Sequence, residues 1–287
     1  MNNINELSVI NPAEMRIIPT QEELTMLRDE LSDMDKFQCG RVQIAGGGAN
    51  VFKVTEPGDE ESKSVPEITG VIMYHHKTNA LWEGEYGKNE DRTPVCSSVN
   101  GDEGTMSETG EILKCGACPY NQYGTAGDGR RGKACKNMRR LYIMRPGDIF
   151  PMILSLPPSA LGAFDKYRTK VIMARKSLQG VVTRFTLKCK DNRDGVEFSL
   201  PVFEAVAALP PGEAERVRQY GEQFNAAASK VGITSDDYGP TERYERGEGY
   251  DVEPSFDPPA TTPADEEFTP IDEAGLPPVT KTGRKGA

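Results

Sequence analysis

Nothing in this 287-residue chain approaches the roughly 18 consecutive apolar residues that a membrane-spanning helix needs. Its first residues, MNNINELSVINPAEMR, lack the basic start and apolar stretch of a secretory signal. Histidine is nearly missing: His75 and His76 are the only two, and no HxE or HExxH spacing exists to build a catalytic zinc site. There is no glycine-rich loop followed by Gly-Lys-Ser/Thr for nucleotide phosphates, no Ser/His/Asp arrangement, and no carboxylate pair on an apolar strand followed by lysine. These absences leave little support for an enzyme, a nuclease included, whose sign would be magnesium-dependent cleavage of DNA; the chain is expected to be non-catalytic. Hydrophobic residues make up 37% and mean hydropathy is -0.55, so part of the chain is expected to lie outside any packed core.

Six cysteines are present, and without a secretory signal they point to a reducing, cytoplasmic compartment where clustered thiols serve as metal ligands more than as disulfides. Four of them follow the spacing Cys96-x18-Cys115-x2-Cys118-x16-Cys135. Two residues between cysteines let both thiolates of a tight knuckle face one ion, and zinc favours four such soft ligands in a closed tetrahedron. Between them lie Gly101, Gly104, Gly110, Gly116, Gly124, Gly127, Gly129 and Gly132, with little apolar material for a core. Such a segment needs a staple, and metal binding supplies folding free energy on the order of 10 kcal/mol. The reading is a structural Zn2+ in a zinc ribbon, with an iron–sulfur cluster as the other assignment four cysteines allow. Four thiolates leave no open position, so neither histidine is needed as a ligand. Cys39 is expected on a strand, and Cys189 in the core beside Val181, Thr183, Phe185 and Leu187.

Charge is unevenly spread. Residues 1–119 carry 10 basic and 21 acidic side chains, residues 120–190 carry 15 and 3, and residues 232–287 carry 5 and 13. A basic middle between acidic flanks suits a face that meets a polyanion. Arg130, Arg131, Lys133, Lys136, Arg139 and Arg140 surround the last ribbon cysteine. Strand alternation in VVTRFTLKCK puts Val182, Arg184, Thr186, Lys188 and Lys190 opposite the core, and the expected helix after Ser159 adds Lys166, Arg168, Lys170, Arg175 and Lys176. Trp82, Tyr86, Tyr120, Tyr123 and Tyr142 lie among these cations. Backbone cations with aromatic faces for stacking bases are how single-stranded nucleic acid is held.

The pattern predicts an α+β, mainly β domain over residues 1–231, an OB-like barrel or bent antiparallel sheet of six or seven strands with two or three helices. Thr20 and Glu23 have capping-box spacing for a helix over 20–35, with Leu24, Leu27 and Leu31 on one face. FQCGRVQIAGGGANVFKV reads as a hairpin, 55–66 as an acidic loop, and 67–77, MRRLYIM and FPMILSL as strands. Ser159 is expected to cap a helix burying Leu161, Phe164, Val171 and Ile172. VVTRFTLKCK and VEFSLPVF form a hairpin about DNRDG, and 213–230 a last helix. The ribbon is inserted at about 79–136, and 232–287 reads as a disordered acidic tail.

CPYNQYGT, GKACKNMRRLYIM and LSLPPSALGAFDKY resemble stretches of a family of phage and mobile-element proteins described as DNA-binding. The wider arrangement is similar to phage single-stranded DNA-binding proteins, which implies an OB-type barrel, a zinc-bearing insertion and an acidic C-terminal tail. The tail here ends VTKTGRKGA rather than in an acidic-hydrophobic tip. The resemblance implies a non-catalytic protein of DNA replication or recombination, located in the host cytoplasm if phage-encoded. Its partner would be single-stranded DNA, with replication or recombination proteins meeting the tail. The alternative is a zinc-ribbon interaction or regulatory protein acting on host machinery through its acidic parts.

Overall fold

The computed structural model describes residues 4–10, 16–26, 39–82, 93–126, 132–191, 195, 197–228, 232–234 and 237. The continuous apolar runs in VIMY, LYIM and MIL decide the architecture. A strand reads this way when both of its faces are covered, and these strands lie at the centre of a sheet with a helix on each side. β4 (Glu67–Leu81) and β8 (Cys135–Met144) pair antiparallel from Val71↔Met144 to Leu81↔Cys135, with one irregularity between Ile72 and Tyr74. β9 (Met152–Leu156) follows on β8, then β1 (Arg41–Ile44), β2 (Phe52–Thr55) and β3 (Lys63–Val65). On the other side β4 continues into β5 (Cys96–Ser98), β6 (Glu103–Met106) and β7 (Ile112–Lys114). β10 (Val181–Asp191) pairs with the first residues of β4 and with β11 (Glu197–Ala208).

The fold is α+β, mainly β, with a mixed open sheet: β1 and β9 run parallel, and no pairing among the described strands joins β3 to β7. There are more strands than the sequence predicts because β3 stands within the expected acidic loop and three short strands fall within the cysteine insertion. The two expected hairpins form, β1–β2 around Gly47 and Gly48, both at positive φ, and β10–β11 with Arg184 opposite Glu204.

Alternate residues of β8 serve opposite layers. Leu141 and Ile143 join Leu154, Leu156, Phe185 and one face of α2 (Pro158–Met173). Tyr142 and Met144 join Val71, Met73, Ile153, Val182 and Phe224 of α3 (Pro211–Ala228). Each fully buried side chain of this size contributes about 1.5–3 kcal/mol through lost apolar surface. Val182 therefore lies in a second core, not on an exposed stripe. The helix α2 begins at Pro158, with Pro157 as its N-cap residue, so Ser159 sits inside the first turn and makes no cap. Proline is pre-set for that first position because its missing N–H is not needed there. Its buried residues are Ala160, Phe164, Tyr167 and Val171, whereas Ile172 is exposed. Cys189 is exposed as well, because β10 runs beyond the edge of its core after Leu187.

The capping box is formed at α1 (Gln21–Met26): the Thr20 N–H donates to Glu23 at 2.7 Å and the Glu23 N–H to the Thr20 hydroxyl at 3.2 Å. Leu27 and Leu31, expected on that helix, lie outside the described residues. Among the described residues no helix is long and apolar enough to cross a membrane.

One polar contact is set deep in this framework. Arg140 of β8 and Asp237 are both buried and pair bidentately, Nε to Oδ1 at 3.1 Å and Nη2 to Oδ2 at 2.5 Å. Arg41 donates to the same carboxylate at 2.8 Å, and the Ser155 hydroxyl donates to it at 2.6 Å. Residue 237 thus belongs to the packed body, although the sequence places it in the tail; residues 238–287 lie outside the described ones. Burial alone would raise the Asp237 pKa, but Arg140 and Arg41 overcome it and hold the carboxyl below its ordinary value. Removing one side of a buried ion pair leaves a charge unpaired, so Arg140→Ala should cost about 3–5 kcal/mol in urea denaturation. A loss below about 1 kcal/mol would mean that the pair is solvated.

Candidate metal centre and nucleic-acid interface

The β5–β4–β8 register gathers the cysteines. Cys96 and Cys135 both stand opposite Leu81, one on each neighbouring strand, so they share a face at the base of the insertion. Cys115 and Cys118 come from the knuckle after β7, where the Cys118 N–H turns back to the Cys115 carbonyl at 3.4 Å and a short 3-10 turn follows over Pro119–Asn121. All four line one pocket with Leu81, Met106, Leu113 and Tyr120. Gly104 makes the approach possible: a Cβ there would lie 2.9 Å from Cys96 Sγ and 3.6 Å from Cys115 Sγ.

The thiols feel one another. Burial pushes Cys135 up to about 12, with Cys115, Cys118 and Cys96 adding to the effect. Burial also raises Cys96, again reinforced by Cys115 and Cys118. As placed, the sulfurs surround a pocket without being drawn into a coordination shell: among the described residues no three Cys, His, Asp or Glu side chains form a group able to hold a metal ion. All six cysteines are free thiols. The ligand types, the shared pocket and the Gly104 cradle fit a four-thiolate centre.

An amide network ties the knuckle to the sheet. Asn79 donates to the Gly101 carbonyl at 3.1 Å and accepts from Asn137 at 2.7 Å. Lys133 bridges Asn137 at 3.1 Å and Asn121 at 3.4 Å, and Asn121 donates to the Cys115 carbonyl at 2.8 Å. The Lys133 ammonium also lies over the Tyr123 ring, 4.9 Å from its centroid. Tyr120 and Tyr123 are 48% and 65% exposed, the two exposed aromatic side chains among the described residues.

The expected cationic face is only partly assembled. Lys133 and Lys136 are half-buried beside the knuckle, and Arg139 lies between His75, 3.1 Å away, and the Phe164 ring, 5.7 Å from its centroid. Arg168 is 3.5 Å from Asp165, while Lys170 is exposed on α2. Arg184 is paired with Glu204 across the hairpin at 2.5 Å, and Lys188 is exposed farther out on β10. Arg140 and Tyr142 do not stand on the surface: both are 0% exposed, because even-numbered residues of β8 face Asp237 and α3. Trp82 is half-buried, packed with Ala80, Met138 and Ile233. Arg130, Arg131 and Tyr86 lie outside the described residues. Sequence reasoning missed Arg41, Ser155 and Asp237, which meet across as many as 196 positions with no local motif.

Comparison with protein-family models, curated proteins and solved structures found no match.

His75 and His76 are structural here. His76 shares a hydrogen bond with the Tyr142 hydroxyl at 3.2 Å, and its ring stacks on those of Tyr74 and Tyr142, which also touch each other. Burial, then the cations Arg139 and Arg168, lowers His75 to about 4. The unfolded chain therefore takes up a proton near pH 6.5 that the folded chain takes up only near 4. Stability should fall as pH is lowered through that window, and His75→Gln should make the fall shallower in thermal melts between pH 7 and 4. An unchanged slope would place His75 in solvent.

Proposed function

We propose that this chain is a non-catalytic single-stranded DNA-binding protein of a phage or mobile-element replication or recombination system, with the cysteine ribbon as its main contact. The observation that carries the reading is the exposed pair Tyr120 and Tyr123 immediately after the CxxC knuckle, with Lys133 over one ring. Two aromatic faces left in solvent beside a cation are what stacked bases and a phosphate backbone require, and such contacts tolerate any sequence. Lys136, Arg139, Arg168, Lys170 and Lys188 would extend the electrostatic attraction.

Cys96, Cys115, Cys118 and Cys135 would hold one Zn2+, which supplies folding free energy and fixes the knuckle under the tyrosines. The finer fold reading, an OB-type barrel, is not required: an open sheet with an appended ribbon serves the same purpose. The acidic stretch after residue 237 is where replication or recombination partners would be sought.

Stacking is worth about 1–3 kcal/mol per base. Tyr120→Ala with Tyr123→Ala should therefore weaken a labelled oligonucleotide at least about tenfold, with metal content and melting temperature unchanged. Equal affinity would remove the ribbon from the interface. Absence of DNA binding, with a stable complex to a host protein, would favour the zinc-ribbon regulatory alternative. One zinc per chain is expected by elemental analysis, and Cys115→Ser should lose it together with thermal stability; full metal retention in that variant would contradict the ligand set.

A further inference from the structure

The donors around Asp237 are built into the sheet, and only the acceptor arrives from elsewhere. Arg140 and Ser155 are register partners on β8 and β9, and Arg41 lies on β1, the next strand. Those three side chains supply four hydrogen bonds to one carboxylate, and the Thr234 N–H adds a fifth at 3.0 Å. Arg41 keeps 20% of its side chain in solvent, so the cradle opens on that side. A guanidinium fork with a second guanidinium and a hydroxyl is also the donor set that binds a tetrahedral phosphate.

Thr78, two residues along β4 from the register partner of Arg140, has a buried hydroxyl with no hydrogen-bond partner among the described residues. An unmet buried polar group costs about 1–3 kcal/mol. Ile233, four residues before Asp237, packs with Met138 and Ala80 in a cluster against which Trp82 is half-buried.

We propose that Arg41, Arg140 and Ser155 form a phosphate site that the chain's own Asp237 carboxylate fills, and that a backbone phosphate of single-stranded nucleic acid takes the site when Asp237 leaves. The source of the phosphate rests on the nucleic-acid reading above; the anion site does not. Its occupation by Asp237 holds part of the binding face in reserve, and Trp82 becomes available for a base at the same moment.

The test uses the full chain and Asp237→Asn. Inorganic phosphate, compared with chloride at equal ionic strength, should raise the melting temperature of the variant by several degrees more than that of the unaltered chain. The comparison cancels the general salting effect of phosphate on any folded protein. A labelled oligothymidine should bind the variant more tightly, with a salt slope steeper by about 0.7 for one added phosphate contact. If Asp237→Asn does not fold, Ile233→Ser loosens the same segment while keeping the carboxylate, and the same two measurements apply. Equal phosphate response in variant and unaltered chain would overturn the site and leave Asp237 as a structural partner only. A phosphate response with unchanged oligonucleotide affinity would overturn the nucleic-acid source and leave free phosphate as the ligand. Failure of the ribbon reading is distinct: Tyr120→Ala with Tyr123→Ala would then leave DNA affinity intact while the phosphate response persists.

Discussion

The pairing of β4 with β8 is the constraint on which the rest depends. At one end of this ladder Val71 and Met144 sit in the apolar body; at the other Leu81 stands between Cys96 and Cys135. This one antiparallel pair thus fixes two cores, the buried Arg140 and the base of the cysteine insertion. A shift of one residue would exchange the faces of Leu141 and Tyr142 and carry Cys135 away from the pocket. The continuous apolar stretch in both strands makes such a shift costly in the middle, where the two helices cover the sheet, and this holds the far end in register. The insertion has little core of its own and borrows its order from this ladder and from the Asn79–Asn137–Lys133–Asn121 network.

Local signals were readable to the extent that their causes are local. The Thr20–Glu23 box, the triple-glycine hairpin and the pairing of β10 with β11 depend on residues a few positions apart, and all stand where the pattern places them. Alternation in β10 correctly separates Phe185 from Arg184. It cannot say whether the second face meets water or a helix, and α3 covers Val182 for a reason located in residues 211–228. The same limit applies to Tyr142. Arg140 is buried because an aspartate 97 positions later meets it, and no window of sequence contains both. The cysteine spacing identified four side chains that do share a pocket, since the knuckle is local and the other two thiols flank one residue of the ladder.

The excess of positive charge between residues 120 and 190 overstates what a ligand would meet. Arg140 is spent on Asp237, Arg145 on Glu56 and Asp148, and Arg184 on Glu204. The partly exposed Arg145 and Arg184 pairs contribute little to stability, unlike the buried Arg140–Asp237 pair, yet each of them reduces the field available to a polyanion. Beside the cysteine knuckle stand two exposed tyrosines with the half-buried, hydrogen-bonded Lys133 and Lys136, while Arg139 packs on α2 and Lys170 is exposed on it. If the proposed binding holds, this limited set makes the strength of the salt dependence informative about which groups engage.

The most direct measurement is a salt titration of the metal-assayed protein with a labelled single-stranded oligonucleotide beside a duplex of equal length. The account predicts tight, sequence-tolerant binding to the single strand, weaker binding to duplex, and a log–log slope of about -0.7 per phosphate engaged. No binding to single strands at low salt, in protein confirmed to carry one zinc, would contradict it.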